Sequence, residues 1–228
     1  MSEAGATMTE RARRLLAQVL DRLRPKDVGS VHGLSFDGRR LWFVDGGTGG
    51  LMSMNPETGA TRNEMPDLGA DAGTATDGHH VWQVIEDGIA KIDPDTREIV
   101  TRLSVPEARG FSGLAWAAGA LWAGHMRKQL VLKLDPETGE VLKTLRSDRF
   151  VTGVTWTPEE DELWHGSTDP QEQDYELRQL DPETGEVVTV VSLPAGTRCS
   201  GLGADEGSLW CGDPETGTIA RVRRPNAS

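Results

Sequence analysis

The chain has 228 residues, of which 36% are hydrophobic, with seven Trp against one Tyr and four Phe, 27 Gly and 12 Pro. No apolar run approaches the roughly 18 residues of a membrane span, and the regular interleaving of Trp and Gly with short apolar runs argues against disorder. Lys and Arg number 24 against 36 Asp and Glu, a net charge of −12 that repels phosphate backbones, so neither a nucleic-acid nor a membrane partner is expected.

At the N-terminus, Thr7-Met8-Thr9-Glu10 fits a capping box, and Leu15, Leu16, Val19, Leu20 and Leu23 fall on one face of a helix that Pro25 stops. The sequence therefore predicts an amphipathic helix and linker over residues 1–28, mildly basic with six basic and four acidic groups. Such a helix would cover an exposed sheet edge or an open end of the main domain. Docking into a second subunit is the alternative, so the expected state is a monomer or a helix-mediated homodimer. Residues 25–31 offer a short closing strand as a further option. No apolar stretch of about 7–15 residues marks a leader, and two cysteines cannot build a disulfide framework, so a cytoplasmic location is expected.

From residue 29 onward one unit repeats. Leu41-Trp42, Val81-Trp82, Leu121-Trp122, Leu163-Trp164 and Leu209-Trp210 stand 40, 40, 42 and 46 residues apart. Each pair follows a short strand-like run and a turn, as in Gly33-Leu34-Ser35-Phe36 before Asp37-Gly38, and Asp-Gly between short runs signals a hairpin. A second turn recurs as Asn55-Pro56-Glu57-Thr58-Gly59, Asp93-Pro94-Asp95-Thr96-Arg97, Asp135-Pro136-Glu137-Thr138-Gly139 and Asp181-Pro182-Glu183-Thr184-Gly185, between alternating, half-buried strands. Each unit is thus four antiparallel strands, and a period of about 40–45 residues is that of a propeller blade. The fold class predicted over residues 29–228 is all-β, a five-bladed β-propeller. Its last blade is incomplete: Asp213-Pro214-Glu215-Thr216-Gly217 joins a second strand to a third, and the chain ends before a fourth.

In such a ring the first strand of each blade lines the axis. Loops leading into first strands open on the same face as loops joining second to third strands, so a mouth can be listed from the repeat. His32, Ala72, Ser112, Thr152 and Ser200 precede the strand glycines, with Ser30, Ala70, Gly110, Phe150 and Arg198 two residues earlier. Three residues after each Trp stand Asp45, Ile85, His125, Ser167 and Asp213. Unlike residues at like positions are informative, because the scaffold requires none of them.

His32, Asp45 and His125 form the sharpest set: imidazoles and a carboxylate on one axis suit a general base or a divalent cation, with Asp213 as a further ligand. The plain alternative has Asp45 and Asp213 shaping turns. Arg109, Arg149 and Arg198, with Arg127 and Lys128 beside His125, suit an anionic ligand if they are not simply solvated. Cys199 beside Arg198, with Cys211 on the partner strand, is either an activated thiol or a buried apolar group. His165 alternates out of the mouth and packs between blades.

The run Val31-His32-Gly33-Leu34-Ser35-Phe36-Asp37-Gly38, Leu41-Trp42-Phe43-Val44-Asp45 and the Asn55-Pro56-Glu57-Thr58-Gly59 turn resemble a blade of the virginiamycin B (streptogramin) lyase group, within the wider set of Asp-Pro-x-Thr-Gly propellers. The resemblance implies His32 as catalytic base and Asp45 as a Mg²⁺ ligand. Ser30 stands where that group has a further metal-binding Glu, and five repeats stand where it has seven blades. Plant-type glutamine cyclotransferases are similar in being five-bladed, with Gln-Gly-Leu where this chain has His32-Gly33-Leu34. The expected function is a small-molecule enzyme of lyase or cyclase type. His32 and His125 would be catalytic, and Arg109, Arg149, Arg198, Phe150, Ser112, Thr152, Ser200 and Cys199 would bind a polar anionic substrate. Asp45, Asp213 and His125 would hold a divalent metal such as Mg. A non-catalytic propeller binding a peptide, protein or metabolite at the same face is the alternative.

Overall fold

The computed structural model describes residues 12–157 and 161–225. Two strands open the chain, β1 (Arg13–Leu16) and β2 (Val19–Leu23). Blade 1 follows with β3 (Val31–Phe36), β4 (Leu41–Asp45), β5 (Gly50–Met54) and β6 (Thr61–Met65). Blade 2 holds β7 (Ala70–Thr76), β8 (Val81–Ile85), β9 (Gly88–Ile92) and β10 (Ile99–Ser104). After a 3₁₀ turn at Ala108–Gly110, blade 3 holds β11 (Phe111–Ala117), β12 (Ala120–His125), β13 (Leu130–Leu134) and β14 (Val141–Arg146). Blade 4 holds β15 (Phe150–Thr157), β16 (Glu162–Thr168), β17 (Tyr175–Leu180) and β18 (Val187–Ser192). Blade 5 has β19 (Gly201–Ala204), β20 (Ser208–Gly212) and β21 (Ile219–Arg223), and takes β2 as its fourth strand.

The N-terminal helix expected from the leucines is corrected by this last pairing. No α-helix occurs among the described residues; Thr7-Met8-Thr9-Glu10 lies outside them. Instead β1 runs parallel to β18 as a fifth strand of blade 4, and β2 runs antiparallel to β21 with Val19 opposite Val222 and Leu23 opposite Ile219. The leucine pattern also satisfies a period of two. Leu15, Ala17, Val19 and Leu23 pack on the cores, whereas Leu16 is 87% and Leu20 39% exposed. A strand edge at β21 with unpaired N–H and C=O groups decides between the two periods, because only a strand can satisfy it. The missing fourth strand of the last blade is supplied by residues 19–23 rather than 25–31.

Blades 1, 2, 4 and 5 are each anchored by the second-strand tryptophan. The Trp42, Trp82 and Trp210 indoles donate Nε1–H to the hairpin carboxylates Asp37, Asp77 and Asp205 at 2.6, 2.9 and 3.0 Å, and Trp164 uses Glu162 at 2.8 Å. Between blades, Trp82 stacks on Trp116 and Trp122 on Trp156, with centroids 5.6 and 5.9 Å apart. The Asx-Pro turns work as read: Asn55, Asp93, Asp135, Asp181 and Asp213 each accept two backbone N–H groups two and three residues on.

The first strands meet at a ring of glycines. A Cβ on Gly33 would stand 2.4 Å from the Gly73 N, one on Gly113 2.3 Å from the Val154 N, one on Gly153 2.8 Å from the Leu202 N, and one on Gly201 2.7 Å from the Gly33 N. Gly73 continues the circuit towards Gly113, where its Cβ would lie 3.2 Å from the carbonyl carbon. Backbone touches backbone around the axis at this level. Deleting residues 1–24 removes both N-terminal strands; we expect the loss of at least about 3 kcal/mol, a fall in Tm of at least about 6–12 °C, with self-association on gel filtration. An unchanged Tm and a monodisperse monomer would contradict the closure.

Candidate functional site

The mouth is a cavity of about 380 Å³ lined by His32, Asp71, Ala72, Arg109, Gly110, Phe111, Ser112, His125, Met126, Arg127, Thr152, Glu172, Tyr175, Ser200 and Pro214. Thus His32, His125, Arg109, Ser112, Thr152 and Ser200 are brought together, and Asp45, Asp213, Arg149, Arg198, Phe150 and Cys199 do not line it. A larger depression of about 910 Å³ lies on the opposite, hairpin face, where Trp116 and Trp156 line it.

Both imidazoles are seated on glycines. A Cβ on Gly46 would collide with His32 Cδ2 at 2.3 Å, and one on Gly110 with His125 Nε2 at 2.3 Å, so the bare Cα faces are what admit the rings. Burial holds the His32 pKa below its usual value, opposed by the charges of Asp71 and Asp45. Burial also lowers that of His125, helped by Lys128 and opposed by Glu107. Lys128 donates its backbone N–H to His125 Nδ1 at 3.4 Å, which leaves the ring hydrogen on Nε2. Phe111 packs its ring edge-on to His125 with centroids 6.1 Å apart.

Several expected roles are corrected. Asp45 is buried in its own turn: its carboxylate accepts Gly47 N–H at 3.2 Å and the Thr48 hydroxyl at 2.8 Å. Asp213 is likewise taken by Glu215 and Thr216 N–H. Among the described residues no three His, Cys, Asp or Glu side chains converge, so this donor set does not fit the divalent metal that the resemblance implies. Arg149 is spent on Asp174 and Glu176, and Arg198 on Glu215. Arg109 lines the cavity but pairs with Glu86 at 2.6 Å. Ser112 and Ser200 act as rivets, donating to Val151 O at 2.5 Å and Val31 O at 2.6 Å on the next blade. Cys199 and Cys211 are fully buried, and their mutual hydrogen bond together with burial raises the Cys199 pKa well above a normal thiol's, the opposite of an activated nucleophile.

Asp71, Glu172 and Tyr175 escaped the sequence reading. Asp71 carried a signal: the equivalent residues Val31, Phe111, Val151 and Cys199 are all buried and apolar. It lies in the stretch where the β7 to β8 register shifts between Ala70 and Thr74. Glu172 and Tyr175 come from the long 169–174 loop of blade 4 and the strand after it, where Glu172 adopts φ 55° and Asp169 accepts the N–H groups of Gln173 and Asp174.

A closed ring of five sheets, four of them four-stranded and that of blade 4 extended by β1, with a cavity at one mouth is a five-bladed β-propeller. Residues 33–226 match the model of the SMP-30/Gluconolactonase/LRE-like region (SGL), and the chain belongs to that family. No curated protein sequence matches the chain. Among solved structures, the glutaminyl cyclase of Myxococcus xanthus superposes with a TM-score of 0.71 at 16% identity, covering 93% of this chain and 97% of that one. Virginiamycin B lyase from Staphylococcus aureus gives 0.50 at 12%, over 90% and 98%. A chain of the mitotic checkpoint complex gives 0.57 at 12%, over 98% and 96%. At these identities the likeness is one of fold, and it places the virginiamycin B lyase resemblance at the level of the propeller. No helix among the described residues is long and apolar enough to cross a membrane.

His165, as expected, packs away from the mouth, fully buried with Nδ1 3.0 Å from Gly166 O, and burial lowers its pKa from 6.5 to about 4. The unfolded chain therefore binds a proton between these values that the folded chain refuses. Stability is complete above pH 6.5, declines as pH falls towards 4, and is lower by about 3 kcal/mol below that. Denaturant titrations from pH 7 to 4 should show this slope in the native protein and a shallower one in His165→Asn; equal slopes would contradict it.

Proposed function

We propose that the protein is a small-molecule enzyme of lyase or cyclase type, acting by proton transfer at the 380 Å³ mouth on a polar substrate with an anionic group. The observation that carries this reading is the pair of imidazoles, His32 and His125, on the walls of one cavity, each with its pKa lowered by burial.

The two rings have different parts. Among the described residues none hydrogen-bonds the His32 ring, and the carboxylates of Asp71 and Asp45 favour the imidazolium formed when it takes a proton. His125, with Nδ1 occupied by the Lys128 N–H, presents Nε2–H as a donor to an oxygen on which charge develops. A proton removed next to a carbonyl leads to elimination, and one removed from an amine attacking a carbonyl leads to cyclisation; in each the group whose bond breaks departs with the proton returned by the His32 imidazolium. Both need one base and one donor, and no step runs through a metal. Arg127, exposed at the rim, supplies the cation for the substrate's anionic group.

The test is turnover, followed by mass spectrometry, of a panel of small carboxylate and amide compounds that includes glutaminyl peptides and virginiamycin B. Conversion of a member should fall about 10²-fold or more in His32→Ala and in His125→Ala, with Tm within about 3 °C of the native protein. The acid limb of the rate should lie below pH 6.5, since His32 works unprotonated. Saturable binding without conversion in the native protein would favour the non-catalytic propeller instead.

A further inference from the structure

The chain has two cysteines, and the fold brings both into one core in blade 5. Cys199 occupies the column of Val31, Asp71, Phe111 and Val151, and Cys211, one residue after its tryptophan, that of Phe43, Gln83, Ala123 and His165. In blades 1 and 3 these two columns also share a core, as Val31 with Phe43 and Phe111 with Ala123. The other blades fill the two columns with four different pairs, so the repeat asks for no particular chemistry there. Blade 5 fills them with two groups that can bond to each other.

Their setting is close and dry. Both residues are 0% exposed, the two thiols are hydrogen-bonded to each other, and Cys199 also donates Sγ–H to Gly201 O at 3.4 Å. Gly166 of blade 4 closes over them: a Cβ there would stand 3.2 Å from Cys199 Sγ. The sheet is thinnest at this spot. β19 has four residues where the other first strands have six, seven, seven and eight. Its ladder with β20 starts at Gly201, whereas blades 1, 3 and 4 pair from the mouth ends of their first strands, at Val31, Phe111 and Phe150. Upstream of Gly201, Ser200 N–H to Gly212 O at 2.8 Å is the backbone bond that ties the entry segment to β20. The same blade is closed by a strand from the other end of the chain, β2.

We propose that Cys199 and Cys211 are a dithiol–disulfide pair, which a low-molecular-weight disulfide oxidises to an intrachain bridge that fastens the mouth end of β19 to β20. One protein thiolate attacks the small disulfide, whose S–S bond breaks, and the departing thiolate takes up a proton. The second protein thiol loses its proton to water and attacks the mixed disulfide, releasing the second small thiol; two protein sulfurs are oxidised and one small disulfide is reduced. The sealed core does not admit the oxidant, so exchange runs through local opening of blade 5, where the two ends of the chain meet. While the blade is closed, the raised Cys199 pKa acts in the same direction and keeps the pair as thiols. The proposal is independent of the enzymatic reading.

The test equilibrates the folded full chain with reduced and oxidised glutathione, in urea kept below the unfolding midpoint so that blade 5 opens, and then removes the urea. Mass spectrometry after alkylation in denaturant should find a monomer lighter by two hydrogens with neither cysteine alkylated. Its Tm should exceed that of the reduced protein by about 6 °C or more, the shift expected when a bridge closes so short a loop, and a reductant should reverse both changes. Cys199→Ala and Cys211→Ala, each leaving one thiol, should show the same Tm with and without oxidant; either variant that folds serves as the control. Two alkylated cysteines at equilibrium, a glutathione adduct or a chain-to-chain bridge as the end product, or a bridge that leaves Tm unchanged or lower, overturns the proposal.

Discussion

Close approach of the five first strands is the constraint on which the rest of the molecule depends. Gly33, Gly73, Gly113, Gly153 and Gly201 form a circuit in which a Cβ on each meets the next blade at 3.2 Å or less. Even first strands two blades apart come within 8 Å at their Cα atoms. No side chain fits on this ring. The axis is consequently pinched at one level, and the space above it is a cavity with a wall of strand ends, separate from the wider depression on the hairpin face.

Once the ring is closed, small local choices place the chemistry. The residue preceding each ring glycine stands at the mouth, so Ser112 and Ser200 rivet neighbouring blades while His32 presents a reactive group. Gly46 and Gly110 provide the second device, flat seats on which His32 and His125 rest partly out of water. Desolvation on these seats lowers the pKa of both rings below that of a solvated loop histidine. Tryptophans and hairpin carboxylates carry the stability elsewhere, leaving the mouth free to depart from the repeat.

How much of this was legible in the sequence follows from where each decision is made. Trp spacing and Asx-Pro turns are local and periodic, so blade number, strand order and the mouth positions of His32, Ser112, His125, Thr152 and Ser200 could be read directly. The role of the leucines at 15–23 could not, because their pattern fits two periods and the choice is made by the unpaired edge of β21, some 200 residues away. Asp45 was misplaced because counting from Trp42 ignores the donors at Gly47 and Thr48 that turn its carboxylate into the loop. Asp71 stands in a column, with Val31, Phe111, Val151 and Cys199, whose other members are buried and apolar, so the repeat marks it as core rather than mouth. Glu172 and Tyr175 depend on how a longer loop folds back, which no repeat column records.

The most direct measurement is thermal unfolding of Gly113→Ala beside Gly207→Ala. Neither glycine has a positive φ, so backbone strain does not separate them; a Cβ at 113 meets the Val154 N at 2.3 Å, and one at 207 meets nothing within 4 Å. If contact around the ring sets the architecture, Gly113→Ala loses about 3 kcal/mol or more, seen as a Tm lower by at least about 6–12 °C or as failure to fold, and Gly207→Ala stays within about 2 °C. Equal, small shifts in both variants would contradict it.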